Sequence, residues 1–286
     1  MKRIYTLLTL FIGIGCLGLN AQERFLDEVF DEVEVTTDVI YGVNTTVLPV
    51  LLGAQPAFRP LNMNLMEPVG DTFDIRPVII LLHTGNFLPQ LLNGNNNGTI
   101  EDPYIVSLGE RLAKMGYLVA IADYRLGWNP IATSQQERTE TLINAAYRGL
   151  QDINTCARYF RASADAGNPH KADGSRITVW GVGTGGYIAY GAATLDQWFD
   201  IVLPKFIGAD KDGNGTPDPM VIEPINGDPF ATTLGLNPLN GDTLCLPNHV
   251  GYSSEFQLCV NMGGALGDTS WVDASDPPMI SYHVPT

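Results

Sequence analysis

Basic residues are scarce in this sequence. Its 286 residues include 16 Lys and Arg against 31 Asp and Glu, which gives a formal net charge of −15. Proteins that bind nucleic acids neutralise phosphates with Lys and Arg, so this balance argues against nucleic acid as a partner. An acidic surface is instead compatible with bound cations and with solubility outside the cytoplasm.

Long apolar runs are also lacking, with one exception near the start. Lys2 and Arg3 precede an apolar stretch, residues 5–19, which ends shortly before Ala21. A basic start, an apolar stretch and small residues are typical of a secretory signal peptide, and the run is shorter than the ~20 residues that span a bilayer. We predict that residues 1–21 are cleaved and that the chain is exported to the periplasm, the cell surface or the medium, without an integral membrane span.

Cysteine is rare as well, with four in the whole chain, and one of them, Cys16, falls in the predicted leader. No cysteine spacing typical of a zinc site occurs. Because exported proteins meet an oxidising environment, we expect a disulfide between Cys245 and Cys259, which would close a short loop. Cys156 falls within a helical pattern and is interpreted as a buried thiol rather than a nucleophile.

The periodicity of the apolar residues predicts an α/β fold. Apolar and polar residues roughly alternate over 33–43 and 61–66, which predicts two opening antiparallel strands. Continuous apolar runs then alternate with helical patterns, as strand 77–83, helix 105–115, strand 117–122, helix 138–161, strand 176–181 and helix 187–195. We therefore expect right-handed βαβ crossovers and a mostly parallel central sheet with helices on both faces.

The pattern loosens between about residues 200 and 258, where Pro, Gly, Asn and Asp are frequent. We interpret this stretch as an insertion or lid after the last of these helices, within a single domain over 23–286. Two further runs, 259–262 and 278–282, predict strands, so we expect the sheet to continue beyond the insertion.

The junction between strand 176–181 and the next helix carries the strongest motif. It reads VWGVGTGG over 179–186, a strand, a sharp turn and a helix with glycines on either side of the turn. This is the geometry that projects a nucleophile above a sheet. The sequence here resembles the carboxylesterase and acetyl-esterase branch of the α/β-hydrolases, in which the equivalent run is Gly-x-Ser-Ala-Gly-Gly.

The resemblance extends over about residues 35–283. Its other matches are Arg76-Pro77 before the apolar strand, ADYRLGW over 122–128 and residues 146–152 of the long helix. The resemblance implies an α/β-hydrolase fold and hydrolysis of small-molecule carboxylic esters, without a required cofactor.

The motif departs from the family at the residue that does the chemistry. Gly183 stands at the position of the catalytic serine, and glycine has no side chain with which to attack a substrate. Thr184 is the one substitute, but a shift of one residue turns its side chain in another direction, and an alcohol needs an adjacent base. We therefore expect impaired or absent serine catalysis, with glycine relieving backbone strain in the turn.

The loop expected to form the oxyanion hole departs too. The family has His-Gly-Gly-Gly, and this chain has His83, Thr84, Gly85 and Asn86. A backbone N–H of Gly85 or Asn86 would still serve as a donor, because the donor does not depend on the side chain. Thr84, however, places a Cβ where the family backbone uses the freedom of glycine.

The acid and the histidine of the family follow the nucleophile along the chain. Residues 276–283 resemble the strand that leads to the acid loop, and His283 matches a histidine that is not the family's base. The sequence ends at Thr286, before either partner would appear, so we expect either a chain truncated at its C-terminus or a missing triad. A non-catalytic binding or surface-interaction module is the alternative to an impaired esterase.

An acidic loop in the predicted insertion is a candidate calcium site. Its oxygen-bearing residues alternate and glycine stands at the sixth position, as in the front half of an EF-hand loop. Val221 stands at the twelfth position, where such loops carry glutamate. The bound calcium would be structural, and a solvated, turn-rich loop is the alternative. The candidate ligands are Asp210, Asp212, Asn214, Thr216 and Asp218.

Other polar and aromatic residues are interpreted structurally. Asp123, Tyr124 and Arg125 are expected to hold the loop after strand 117–122. Trp128 is expected to serve in packing or as a pocket wall rather than as a ligand anchor.

Overall fold

The computed structural model of the chain describes residues 23–211 and 214–283. The predicted leader, residues 1–21, lies outside the described residues. No helix in the described ranges is both long enough and apolar enough to cross a bilayer.

Strands and helices alternate along the described chain. The strands are β1 (Val33–Thr46), β2 (Ala57–Pro68), β3 (Arg76–Leu82), β4 (Leu118–Ala122), β5 (Ala172–Val182), β6 (Gly235–Leu236), β7 (Thr243–Cys245), β8 (Leu258–Met262) and β9 (Met279–Tyr282). The α-helices are α1 (Gln90–Asn93), α2 (Pro103–Lys114), α3 (Gln135–Asp165), α4 (Thr184–Thr194) and α5 (Glu223–Asn226). Short 3-10 helices occupy Leu48–Leu52, Trp198–Ile201, Pro204–Phe206 and Thr269–Trp271.

Seven of these strands form one sheet in the order β1-β2-β4-β3-β5-β8-β9. Strand β2 is antiparallel to both β1 and β4, whereas the other neighbouring pairs are parallel. This strand order is that of the α/β-hydrolase fold, so the predicted fold class and the opening antiparallel pair are confirmed. The carboxyl ends of β3, β4 and β5 lie side by side at one edge of the sheet.

The central strands are apolar along their whole length because helices cover both faces of the sheet. Alternate residues of a strand point to opposite faces. Ile80 and Ala120 accordingly join a buried cluster with α3 and α4, whereas Ile79 and Val119 join one with α2. A strand covered on both faces has no polar side to alternate, which explains the unbroken apolar runs in the sequence.

The segment between α4 and β8 packs along the side of the long helix α3. Tyr147 Oη donates a hydrogen bond of 2.9 Å to Gly227 O, and Gln151 Nε2 donates to Asn226 O and Asp228 O at 2.7 and 2.8 Å. Side chains of the helix thus satisfy main-chain carbonyls of a segment whose own elements, two 3-10 helices, α5, β6 and β7, are all short.

A fully buried ion pair joins the loop after β4 to α3. Arg125 Nε lies 2.8 Å from Asp152 Oδ1, and neither side chain is exposed. The backbone N–H of Arg125 donates to Asp152 Oδ2 at 2.7 Å, and Arg125 Nη2 donates to Gln151 Oε1 at 2.9 Å. The expected role of Arg125 in holding this loop is confirmed.

The predicted disulfide is wrong. Cys245 and Cys259 are both free and buried, and Cys156 is a buried free thiol as expected. Cys245 ends β7 and lies against Gly227, whereas Cys259 is enclosed in the main sheet opposite Val179. The two residues are close in sequence, but the chain between them leaves one sheet and enters another. Burial raises the pKa of Cys259 to about 12 and raises that of Cys245 as well, so neither thiol is a ready nucleophile.

We expect Asp152→Ala to lower the free energy of unfolding by about 3–5 kcal/mol, because it leaves the Arg125 charge buried without its partner. Urea unfolding followed by circular dichroism measures the loss. The control is Glu28→Ala, which breaks the exposed pair between Glu28 and Arg111 and should cost less than about 1 kcal/mol. Equal losses for the two variants would contradict the role given to the buried pair.

Candidate functional site

The turn between β5 and α4 is too tight for a side chain on its flanks. A Cβ on Gly181 would lie 2.0 Å from the carbonyl oxygen of Gly185, and a Cβ on Gly185 would lie 2.6 Å from that of Leu82. Both distances are far below van der Waals contact, so glycine is required at these positions. The strand, turn and helix predicted from the glycine pattern are present, and α4 begins at Thr184.

Gly183, at the apex of this turn, has φ 56° and ψ −117°. A residue with a side chain is strained by about 1–3 kcal/mol in such a sparsely populated region, and glycine is not. Gly183 N donates to Met262 O at 2.8 Å, and Gly183 O accepts from Gly186 N at 2.9 Å. The turn therefore keeps the backbone shape of a nucleophile elbow without carrying a nucleophile.

The Thr84 side chain fills the space that a side chain at position 183 would need. A Cβ on Gly183 would lie 2.2 Å from Thr84 Oγ1 and 2.8 Å from Thr84 Cβ. Thr84 Oγ1 also accepts a hydrogen bond of 3.3 Å from the backbone N–H of Thr184. In an elbow of this type, the N–H of the residue after the nucleophile is an oxyanion donor. The Thr84 hydroxyl thus takes both the room of the nucleophile and one donor of the oxyanion hole.

The rest of this loop is held rigidly beside the turn. Gly85, Asn86 and Phe87 all have positive φ, at 131°, 55° and 54°. A Cβ on Gly85 would lie 2.5 Å from the α-carbon of Gly98, so two glycines are packed backbone to backbone. Trp128 Nε1 donates to Asn86 O at 2.7 Å from the other side. The predicted oxyanion loop therefore exists as a loop, and contacts with Gly98 and Trp128 fix Gly85 and Asn86 in place.

His83 is buried and directed away from the turn. Its ring stacks on Tyr124 at 4.5 Å between centroids, its Nδ1 lies 2.5 Å from Thr84 O, and its Nε2 lies 3.6 Å from Asp123 Oδ1. Asp123 also pairs with Arg59 at 2.5 Å. Burial disfavours the charge on Asp123, but the nearby His83 ring and the Arg59 guanidinium hold the pKa of that carboxyl below its ordinary value.

Neither a base nor an acid is placed beside Thr184, the substitute nucleophile. Its Oγ1 is buried and hydrogen-bonds to no histidine or carboxylate among residues 23–211 and 214–283. His283 is exposed after the end of β9, and His170 and His249 bond to Tyr159 Oη and to a backbone carbonyl elsewhere. In the described part of the chain, nothing would take the proton of Thr184.

The candidate calcium loop is only partly described, because Asp212 lies outside the described residues. Asp210 accepts from the backbone N–H groups of Asn214 and Gly215 at 3.2 and 2.8 Å, and Asp218 accepts from Lys211 N at 2.7 Å. No group of three His, Cys, Asp or Glu suited to a metal occurs in the ranges that the structure covers. Since Asp212 belongs to the proposed ligand set, calcium binding stays a prediction.

A cavity of about 1160 Å³ lies at the same edge of the sheet as the turn. It is formed by the loop after β4, the first half of α3, the turn after β1 and Leu92. Trp128 is one of its walls, as expected, and the bond from Trp128 to Asn86 connects it to the Thr84 loop. Residues with exposed apolar side chains surround its mouth, namely Val50, Leu92 and Ile131. Gly183 and Thr184 do not line it.

Comparisons with known proteins were made for the sequence and for the structure. No family model matches the sequence, and no curated protein matches it. One solved structure that aligns with it is a truncated form of a carbohydrate esterase from gut microbiota, with 15% identity, a TM-score of 0.42 and coverage of 84% of this chain and 59% of that chain. A bifunctional GH43-CE protein of Bacteroides eggerthii aligns with 16% identity, a TM-score of 0.43 and coverage of 80% of this chain and 20% of that chain. Thermogutta terrifontis esterase 2 phosphorylated by paraoxon aligns with 15% identity, a TM-score of 0.42 and coverage of 87% of this chain and 69% of that chain.

Because the identities are this low, these alignments show a likeness of fold alone. The chain spans about three fifths of the first of these structures and one fifth of the second. The assignment to the α/β-hydrolase fold rests on the strand order and on the turn after β5.

We expect Gly183→Ser to lower the free energy of unfolding by about 1–3 kcal/mol from overpacking against Thr84, with backbone strain in addition. Thr84→Gly in the same chain should recover at least about 1 kcal/mol, because it makes room for the serine. Thr84→Ala should recover less stability, because the Cβ at position 84 stays too close to the side chain introduced at position 183. Urea unfolding of the four members of the cycle measures the coupling, and strictly additive losses would contradict the contact.

A second prediction concerns the stability of the folded chain at low pH. Because the pKa of Asp123 is held low, the folded chain binds this proton less readily than the unfolded chain does. The stabilisation from Asp123 is then fully present above the ordinary carboxyl pKa of about 4 and is lost as the pH falls through the lower folded value. Wild type should therefore lose more stability than Asp123→Asn between about pH 5 and pH 2.5. Urea midpoints that fall in parallel would refute this.

Proposed function

We propose that this chain is an exported α/β-hydrolase-type protein that binds a small molecule at the carboxyl edge of its sheet and does not hydrolyse esters by serine chemistry. The observation that carries the proposal is the contact between Thr84 and Gly183. A glycine at the nucleophile position removes one group, and the threonine beside it occupies the space in which that group would act.

Acyl transfer in such a fold needs a nucleophile, a base that takes its proton, and donors aimed at the oxyanion. Here the nucleophile is absent, and the N–H of Thr184 donates to Thr84 Oγ1 instead of remaining available to a substrate. His83 lies near this position, but its Nε2 is directed at Asp123. All three requirements therefore count against serine catalysis by the described residues.

Binding is supported by the cavity beside the turn. In open α/β sheets, ligands bind outside the carboxyl ends of the strands, and this cavity lies beyond β3 and β4. Its volume of about 1160 Å³ is slightly above the roughly 300–1,000 Å³ of small-molecule pockets, which are usually mostly apolar with a few polar groups. A protein with this scaffold can keep a pocket after its chemistry is gone, because fold does not dictate function.

Hydrolysis of carboxylic esters is the second candidate, and the backbone of the turn favours it. Gly183 keeps the strained dihedral angles that an elbow needs, and Thr184 supplies an alcohol one residue later. Under this alternative, Thr184 would be the nucleophile and a base would have to come from outside the described residues.

We expect the wild-type protein to hydrolyse p-nitrophenyl acetate no faster than a buffer blank and to form no adduct with a fluorophosphonate probe. Spectrophotometry and intact-mass spectrometry provide the two readouts. Thr184→Ala is the matched control, and it should behave like wild type. Turnover or labelling that is present in wild type and absent in Thr184→Ala would refute the proposed function and favour the esterase.

A further inference from the structure

An arginine without an acidic partner lines the cavity described above. Arg148 Nη2 donates to Gly127 O, and Arg148 Nε is buried without a hydrogen-bond partner. No carboxylate among residues 23–211 and 214–283 forms an ion pair with Arg148. A partly buried guanidinium with unused donors is an uncompensated cation, and its remaining N–H groups suit an anionic oxygen.

The nearest charges do not neutralise this group. Asp152 is the carboxylate whose charge raises the pKa of Arg148, but Asp152 is bound to Arg125 through both carboxylate oxygens. Arg125 itself lies beside Arg148 and donates to Arg148 O. Arg148 and its buried neighbours Arg125 and Asp152 therefore amount to two guanidinium groups for one carboxylate, which leaves an excess positive charge beside the cavity.

The two glutamates that line the same cavity lie nearer the N-terminus of α3 than Arg148 does. Glu140 and Glu137 precede Arg148 by eight and eleven residues, roughly 12 and 16 Å along the helix axis. Screening weakens interactions over such distances, since the Debye length is about 8 Å at physiological ionic strength. Each glutamate also has a partner, Lys211 for Glu140 and Asn129 for Glu137.

Burial, together with the nearby Arg125, lowers the pKa of Arg148 to about 9. The guanidinium therefore remains protonated at neutral pH. A ligand anion in the cavity would be attracted to this charge.

Part of the cavity wall is apolar or aromatic. Trp128 lies in the wall and is fixed by its bond to Asn86 O, so its ring is oriented before any ligand binds. Ile131 is 89% exposed at the mouth, and Leu92 is 57% exposed. Exposed apolar side chains around a pocket are typical of a site that buries the apolar part of a ligand.

We propose that this cavity binds a small organic carboxylate, with the carboxylate on Arg148 and the apolar body against Trp128 and Ile131. The inference rests on the proposed function as a binding protein and adds the class of ligand. A carboxylate is favoured because the planar guanidinium matches its two oxygens and because a cavity of about 1160 Å³ has room for an apolar body as well.

The test compares 4-biphenylacetate with its uncharged amide by isothermal titration calorimetry on the full chain. We expect the carboxylate to bind wild type at least roughly tenfold more tightly than the amide, since a hydrogen-bonded charge pair is lost in the amide. Arg148→Met should weaken the affinity for the carboxylate by about the same factor and leave the affinity for the amide unchanged. Arg111→Met, which removes an exposed arginine on α2, is the matched control and should change neither affinity.

Several outcomes would overturn the inference. Carboxylate binding that is unchanged in Arg148→Met, or equal binding of carboxylate and amide, would remove the anion specificity and leave the proposed binding function in place. Binding of neither compound to wild type would overturn the assignment of this ligand class, whereas ester turnover in the separate assay would refute the proposed function itself. If circular dichroism shows that Arg148→Met does not fold, Arg148→Lys takes its place in the test. The lysine keeps the positive charge but lacks the planar guanidinium, so this variant should weaken binding of the carboxylate and leave binding of the amide unchanged.

Discussion

The close approach of β5 to α4 is the constraint on which the carboxyl edge of this protein depends. Gly181 and Gly185 have no Cβ, so the helix starts almost where the strand ends. That closeness forces Gly183 into φ 56° and ψ −117° and aims its α-carbon at the loop after β3. Thr84 lies there and fills the space that glycine leaves. The two departures from the esterase motif, at 84 and at 183, are therefore one packing arrangement.

The same edge is stabilised by interactions that have no part in chemistry. The buried pair of Arg125 and Asp152 anchors the loop after β4 to α3, and Trp128 in that loop is bonded to Asn86 in the loop after β3. The loops after β3 and β4 are thus tied to each other and to the helix. The loop after β4 and α3 also line a cavity together with the partly buried Arg148.

Much of the fold was predictable because strand and helix periods are local properties of the sequence. The runs 77–83 and 117–122 became β3 and β4, and the glycine pattern over 179–186 marked the turn after β5. The disulfide between Cys245 and Cys259 failed for the opposite reason. Its prediction used distance along the chain, but each cysteine belongs to a different sheet, and strand pairing decides which residues meet.

The sequence by itself determined that a strand, a tight glycine turn and a helix follow one another, and that glycine replaces the nucleophile. Those are consequences of residue type and spacing. Only the tertiary structure decided that the Thr84 hydroxyl occupies the vacant space and that Arg148 lines a cavity without an acidic partner among the described residues. Residues 84 and 183 are about a hundred positions apart, and Arg148 looks like any helical arginine. Their roles arise because parallel pairing of β3 with β4 and β5 brings distant loops to one edge.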